Sequence, residues 1–367
     1  MSEAEVPASK PGRATESRLV AEYPRLRDAV PWIPLATCPT PVEPCTNISS
    51  YLGRSDVWMK RDDAIHPVFG GNKIRRFEHL LADAKNRGAQ EIITVGGLAS
   101  TQVTATILLG KTLGFGVTSV LFDQPLTSFA RQSLLIQAST GGRMLYGGSY
   151  ARTAIVTIRK LWQSRRSAYF VAPGASGPLA NLGYVSAAFE LADQVARGDM
   201  PRPDVIVVPA GSGGTAAALC LGATLLGWNT TIVAVRITDR IVCNRATLGL
   251  LVESTKAYLS KRIGGLPRRT SSKARIEMDH ACAGRGYGHP TNEAIAACPE
   301  VKRLIGAPGE ITYSGKTLVG LRRACASYPG KTILLWNTLS SVWPTPTVRL
   351  DELDPQFQRF FEGELAI

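Results

Sequence analysis

From residue 57 to residue 336, short apolar runs alternate with stretches whose apolar positions recur every three or four residues. The first pattern marks buried strands, and the second marks helices that cover them. Val57-Trp-Met-Lys60 reads as a short strand ahead of the acidic pair Asp62-Asp63. Ile74, Phe77, Leu80, Leu81 and Ala84 predict a helix that Gly88 stops. Glu91 to Val95 predicts a strand, Val103 to Leu113 a helix closed by Gly114, and Val117 to Phe122 a second strand. A helix over Ser128 to Ser139, a short strand over Arg143 to Tyr146 and a helix over Tyr150 to Trp162 follow. Tyr169 to Ala172 is extended, and Gly183 to Ala196 is helical. Val205 to Val208, Thr215 to Leu226 and Thr231 to Val235 repeat the strand–helix–strand unit. A helix over Lys316 to Ala326 then precedes a strand over Thr332 to Trp336.

Apolar strands separated by helices predict an α/β chain whose parallel, twisted sheets are covered by helices on both faces. The pattern suggests two lobes within residues 31–367, a smaller one at about 90–195 inserted in a larger one. Residues 1–30 are polar and read as an N-terminal extension. In open sheets of this class, ligands sit where strands end and helices begin. Attention therefore falls on the loops 69–76, 96–103, 209–215 and 312–316.

Composition narrows the picture. Hydrophobic residues make up 44% of the 367 and charged residues 19%, enough apolar content for a sizeable core and against a disordered chain. No charge occurs from Val205 to Val235, but Pro209 to Gly214 and Gly227 to Thr231 cut this run into pieces too short to span a bilayer. The first residues mix acids and bases without an apolar core, so the expected address is the cytoplasm, with no membrane partner. The seven cysteines are scattered without a C-x-x-C pair and read as reduced, structural thiols. The four histidines lack metal-ligand spacing, so no metal is expected. The net charge is +13, and Lys261, Arg262, Arg268, Arg269, Lys273 and Arg275 form a run without an acid. A smaller basic pair is Arg165-Arg166. No aromatics interleave with these charges, so they read as solvated loops rather than a nucleic-acid site.

Two loops carry chemistry. In Phe69-Gly-Gly-Asn-Lys-Ile-Arg-Arg76, two glycines allow close backbone approach to a ligand, and Lys73 stands where a helix begins. The positive end of the helix dipole favours the neutral amine that a nucleophile needs. Pro209-Ala-Gly-Ser-Gly-Gly-Thr215 leads from a strand into a helix, so its free N–H groups, Ser212 and Thr215 suit an anion. It has neither the Lys-[Ser/Thr] of a P-loop nor the dinucleotide spacing. A compact monophosphate fits best, and a lysine facing a monophosphate points to pyridoxal 5'-phosphate (PLP).

With these loops, Gly97-Leu-Ala-Ser-Thr-Gln102, Pro173-Gly-Ala-Ser176, Gly183-Tyr184, Gly286-Tyr-Gly-His-Pro290 and Tyr313-Ser-Gly-Lys316 complete an ordered set. Over roughly residues 32–340 the chain resembles the D-cysteine desulfhydrase and 1-aminocyclopropane-1-carboxylate (ACC) deaminase family, PLP enzymes of fold type II with the tryptophan-synthase-β-like architecture. The resemblance implies that Lys73 is joined covalently to PLP, with Asn72 and Arg76 near its phosphate. Gly211, Ser212, Gly213, Gly214 and Thr215 would cradle that phosphate. Ser100, Thr101 and Gln102 would meet the substrate carboxylate and the cofactor's hydroxyl side. Tyr287 and Tyr313 would flank the substrate, and Ser314 would face the pyridine nitrogen. The resemblance also implies a homodimer.

ACC deaminases resemble one another in having Glu after the second tyrosine and Leu near the chain end, where desulfhydrases carry Ser or Thr and then Thr. Ser314 and Thr338 therefore favour elimination from a small amino acid, releasing ammonia and a 2-oxo acid. In that reading, Lys73 acts as the base at Cα, while Ser100 and Tyr287 serve carboxylate binding and proton transfer. The chain departs from the family pattern at Thr101, where an Asn amide is usual, and at Leu339-Ser340, where two glycines are usual. Those departures motivate the alternative of a deaminase or β-replacement enzyme on a specialised amino acid. A non-catalytic or nucleic-acid-binding descendant is the third reading.

Overall fold

The protein, seen in a computed structural model, is described over residues 12, 13, 15–54, 56–165, 167–266 and 274–365. Residues 1–11, Arg166, and Arg268, Arg269 and Lys273 of the basic run lie outside the described residues. Six strands form the larger sheet, in the spatial order Arg275–Asp279, Thr231–Arg236, Val205–Ala210, Ile333–Trp336, Val57–Lys60 and Val42–Pro44. All neighbours run parallel except the last pair. The smaller sheet is wholly parallel, in the order Arg143–Gly148, Gly116–Phe122, Glu91–Gly97 and Ala168–Val171. Its strands are contiguous in the chain, whereas the larger sheet draws strands from both sides of them.

Both sheets bury apolar side chains on two faces, as parallel sheets require. Every residue of Val205–Ala210 is buried. Behind it packs the helix Gly214–Leu225, in which eleven of the twelve residues are buried. The charge-free run that raised the membrane question is thus a strand, a helix and a strand. No helix among the described residues is long and apolar enough to cross a membrane.

The helix Ile74–Asn86 buries more than its apolar stripe. Ile74, Phe77 and Leu81 enter the core of the smaller sheet. Arg75, Arg76, Glu78 and His79 are also buried, because the helix Pro178–Ala196 packs on the other side. That second helix begins five residues before the predicted Gly183, with Gly177 at its N-cap and Pro178 in its first turn. A side chain at Gly183 would put Cβ 2.1 Å from the Arg75 carbonyl oxygen, so glycine sets the closeness of the two helices. The short helix Arg18–Glu22 lies on Pro178–Ala196 as well, with Leu19 and Val20 buried and Arg18 Nε 2.6 Å from Asp193.

Candidate active site

The four loops singled out by sequence converge between the C-terminal ends of the two sheets. Strand Val57–Lys60 runs into the Lys73 loop, and backbone bonds fix that loop from two sides. The Gly71 N–H donates to the Asp62 carbonyl (2.8 Å), and the Asn72 N–H donates to the Thr338 carbonyl (3.1 Å). The Gly70 N–H donates to Ser340 Oγ (2.7 Å). Gly71 has φ +93°, and a Cβ there would lie 2.5 Å from the Thr338 oxygen, so no other residue keeps this turn. Lys73 follows at the helix start, only 7% exposed. Burial and the neighbouring Arg76 guanidinium both push its ammonium well below the usual lysine value, which favours the neutral amine.

Side chains on either side of Lys73 reach the glycine loop. Asn72 Nδ2 donates to Thr215 Oγ1 (3.3 Å), and Arg76 Nη2 donates to the same atom (2.7 Å). Arg76 Nη1 donates to the Gly174 carbonyl and to Ser176 Oγ, both at 2.7 Å. Ser176 Oγ in turn lies 2.6 Å from Ser212 Oγ. Arg76 is almost fully buried, yet no carboxylate is among its partners, and its Nε has none at all. Burial lowers its pKa to about 10. Gly213 caps the helix Gly214–Leu225 with φ +80° and no side-chain cap, so the first N–H groups of that helix are free to bind. A Cβ at Gly214 would lie 2.5 Å from Ser176 Oγ and 2.7 Å from Asn181 Oδ1. An uncompensated buried cation beside bare helix N–H groups suits a phosphate. These residues fit PLP.

The smaller sheet contributes the loop after Glu91–Gly97. Ser100 caps the helix Thr101–Thr112, its Oγ accepting from the Val103 N–H (3.4 Å), and Thr101 opens the first turn. Gln102 has other work. Its Nε2 donates to Thr94 Oγ1 (2.6 Å) and Thr106 Oγ1 (3.1 Å), and its Oε1 accepts from the Gly174 N–H (3.2 Å). The amide is therefore spent joining this lobe to the 173–176 loop. Sequence spacing alone gave no sign of this, because Gly174 is remote from Gln102 in the chain.

Tyr287 and Tyr313 meet edge to face with centroids 6.2 Å apart. Burial and the neighbouring phenol raise Tyr287 well above the usual tyrosine value, and burial raises Tyr313 to about 12. Both are neutral proton donors near pH 7. A Cβ at Gly211 would sit 3.4 Å from the Tyr313 hydroxyl, which places that tyrosine beside the Gly211–Thr215 turn. Ser314 is buried, and its Oγ is held by its own loop, donating to the Pro308 carbonyl (2.8 Å) and accepting from the Glu310 N–H (2.9 Å). Glu310, not singled out by sequence, accepts from the N–H groups of Thr312, Tyr313 and Ser314 and so shapes this helix start.

Behind the Lys73 loop lies a buried charge network that sequence reading also missed. Asp62 accepts from Arg75 Nε (3.0 Å) and Nη2 (2.9 Å), Thr40 Oγ1 (2.8 Å), Tyr184 OH (2.8 Å) and Trp336 Nε1 (2.7 Å). Glu190 accepts from Lys60 Nζ (2.6 Å) and Arg75 Nη1 (2.9 Å). Two cations thus face two carboxylates, all four of them buried.

The family model described as pyridoxal-phosphate dependent enzyme matches residues 33–338. The chain is 31% identical over 312 residues to a putative 1-aminocyclopropane-1-carboxylate deaminase of Pyrococcus furiosus, covering 83% of this chain and 87% of that protein. It is 30% identical over 315 residues to D-cysteine desulfhydrase of Serratia proteamaculans, covering 82% and 88%. The solved structure of an ACC deaminase homologue superposes with a TM-score of 0.72 at 27% identity, over 89% of this chain and 95% of that one.

Proposed function

Because the chain belongs to the pyridoxal-phosphate dependent enzymes, with the α/β architecture of fold type II and the character of a lyase, we propose that it cleaves a small amino acid by α,β-elimination, in the manner of a D-cysteine desulfhydrase. The products are a thiol or sulfide, ammonia and a 2-oxo acid. The observation that carries this reading is the buried Lys73 amine, flanked by two side chains that both reach Thr215.

PLP supplies the electron sink for the charge left at Cα when its proton departs. Arg76, Asn72 and the turn Gly211, Ser212, Gly213, Gly214 and Thr215 would hold its phosphate. Thr101 would lie on the side of its ring hydroxyl. Ser314 would stand on the pyridine side as a neutral group, which suits expulsion of a good leaving group. Lys73 would take the Cα proton, and burial together with the Arg76 guanidinium lowers its basicity and favours the neutral amine that this role needs. Ser100 and Thr101 bind the substrate carboxylate, Thr338 borders it, and Tyr287 and Tyr313 offer phenol protons to the departing group. Ser314 and Thr338, where ACC deaminases have Glu and Leu, favour elimination over ring opening. A cytoplasmic address and a homodimer, the latter measurable by sedimentation, belong to the same proposal.

The test is an absorbance titration of the holoenzyme with D- and L-cysteine, followed by assays for sulfide, ammonia and pyruvate. All three products with one enantiomer support elimination. Product only after a second nucleophile is added supports β-replacement instead. Bound cofactor with no product from either enantiomer refutes a desulfhydrase.

A further inference from the structure

Four aromatic rings form a continuous wall across the gap between the lobes. Phe122 ends a strand of the smaller sheet, and Tyr150 opens the helix Tyr150–Gln163; their centroids are 4.8 Å apart. Phe122 is 6.2 Å from Tyr287, which is 6.2 Å from Tyr313. The wall therefore runs from a rim residue, Tyr150, 62% exposed, to the phosphate loop at Gly211. It also rests on the loop that carries Ser100: a Cβ at Gly97 would lie 3.1 Å from Tyr287 and 3.2 Å from Phe122. Beside the wall, Gln124 Oε1 accepts from the Ala99 N–H (3.0 Å). Asp239 places negative charge near Tyr150 and against Gly286. Such a wall favours flat or apolar groups and rejects anionic ones.

We infer that Phe122 and Tyr150, continuing from Tyr287, are the subsite for the β-substituent of the substrate, and that this substituent is an uncharged aryl or alkyl thioether larger than the thiol of cysteine. The inference rests on the lyase reading above and adds the class of leaving group. A substrate carboxylate held at Ser100 directs its side chain along the same loop that supports Phe122 and Tyr287.

With S-phenylcysteine as the probe, one water is consumed, and the products are thiophenol, pyruvate and ammonia. The Cα–H and Cβ–S bonds break, the bonding pair of Cβ–S leaves on sulfur, and sulfur takes up a proton. The experiment measures kcat and KM of the holoenzyme for both enantiomers of S-phenylcysteine and of cysteine, by pyruvate formation. It is repeated with Tyr150→Ala, a rim substitution compatible with folding, and with Phe122→Leu. The expected wild-type kcat/KM for S-phenylcysteine exceeds that for cysteine of the same hand by at least about tenfold. Each variant lowers that ratio by about tenfold, mostly through KM for the phenyl compound. Turnover of cysteine without this preference overturns the inference and leaves the lyase reading standing, as does an equal loss for both substrates in the variants. No pyruvate from any of the four compounds, with cofactor bound, removes the lyase reading and this inference with it.

Discussion

Replacing Asp62 with Asn removes one of two carboxylates that balance Lys60 and Arg75 in the interior. The amide is isosteric, so the cost is electrostatic rather than a cavity. Five donors converge on the Asp62 oxygens. In the variant, an NH2 group faces some of those donors, and the two cations share only Glu190. Breaking one side of such a buried set costs about 3–5 kcal/mol. Unfolding entropy of about 2.1 cal/mol/K per residue gives about 0.8 kcal/mol/K for a chain of this length, so the melting midpoint should fall by about 4–6 °C. Calorimetry of the cofactor-free protein at pH 7 measures the shift, with Asp199→Asn, which disturbs only the surface pair with Arg197, as the control. Burial alone would raise the Asp62 pKa, but Arg75 and Lys60 outweigh it and hold the carboxyl below its usual value. Its contribution is therefore present above the ordinary carboxylate range and lost as pH falls through the lower folded value. The difference between wild type and variant should shrink in strong acid. A shift no larger than the control at pH 7 would refute the network's role in holding the Lys73 loop's base.

Arg76→Met removes the buried guanidinium proposed to meet the phosphate, and the dissociation constant for PLP, read by absorbance, should rise by about 30-fold or more; an unchanged constant would assign the phosphate elsewhere. Ser340→Ala removes the acceptor of the Gly70 N–H, which should lower the melting midpoint by about 1–3 °C and weaken PLP binding; calorimetry showing no shift would mean that the loop is held without it. Burial raises Glu78 to about 7, against the N–H groups of Ala36 and Leu35 that favour its charged form. Because the folded value lies above the unfolded one, the fold is least penalised at low pH and loses stability as pH rises from about 4.5 through 7. Glu78→Gln should therefore gain about 2 kcal/mol on wild type between pH 5 and pH 8, and a difference independent of pH in chemical denaturation would contradict the assignment.

Much of this fold is legible in the sequence because parallel strands buried on both faces are short and uniformly apolar. The helix Ser128–Ser139 and the strand Val57–Lys60 lie where the pattern puts them. The helix Arg245–Ile263 does not announce itself. Its apolar side chains are spread around the axis, and only Leu248, Thr255, Leu259 and Ile263 are buried where it meets helices Pro178–Ala196 and Gly214–Leu225. Asn292–Ile305 is masked by Pro299, which reads as a breaker although the helix continues through it. The site divides the same way. Lys73 and the 211–215 turn are local motifs, whereas the Asp62–Arg75–Glu190 set joins residues up to 128 positions apart, and no periodicity links them. Gln102 and Ser314 sit in motif positions, yet the amide of Gln102 is claimed in part by the distant Gly174, and the hydroxyl of Ser314 by backbone groups of its own loop.

The most direct measurement is the identity of the lysine that carries the cofactor. The holoenzyme is reduced with borohydride, digested, and its peptides sequenced by mass spectrometry. One phosphopyridoxyl group is expected, on Nζ of Lys73, with loss of both that adduct and the visible absorbance band in Lys73→Ala. A phosphopyridoxyl group on Lys316 or any other lysine, or a Lys73→Ala protein that keeps the band after dialysis, would contradict it.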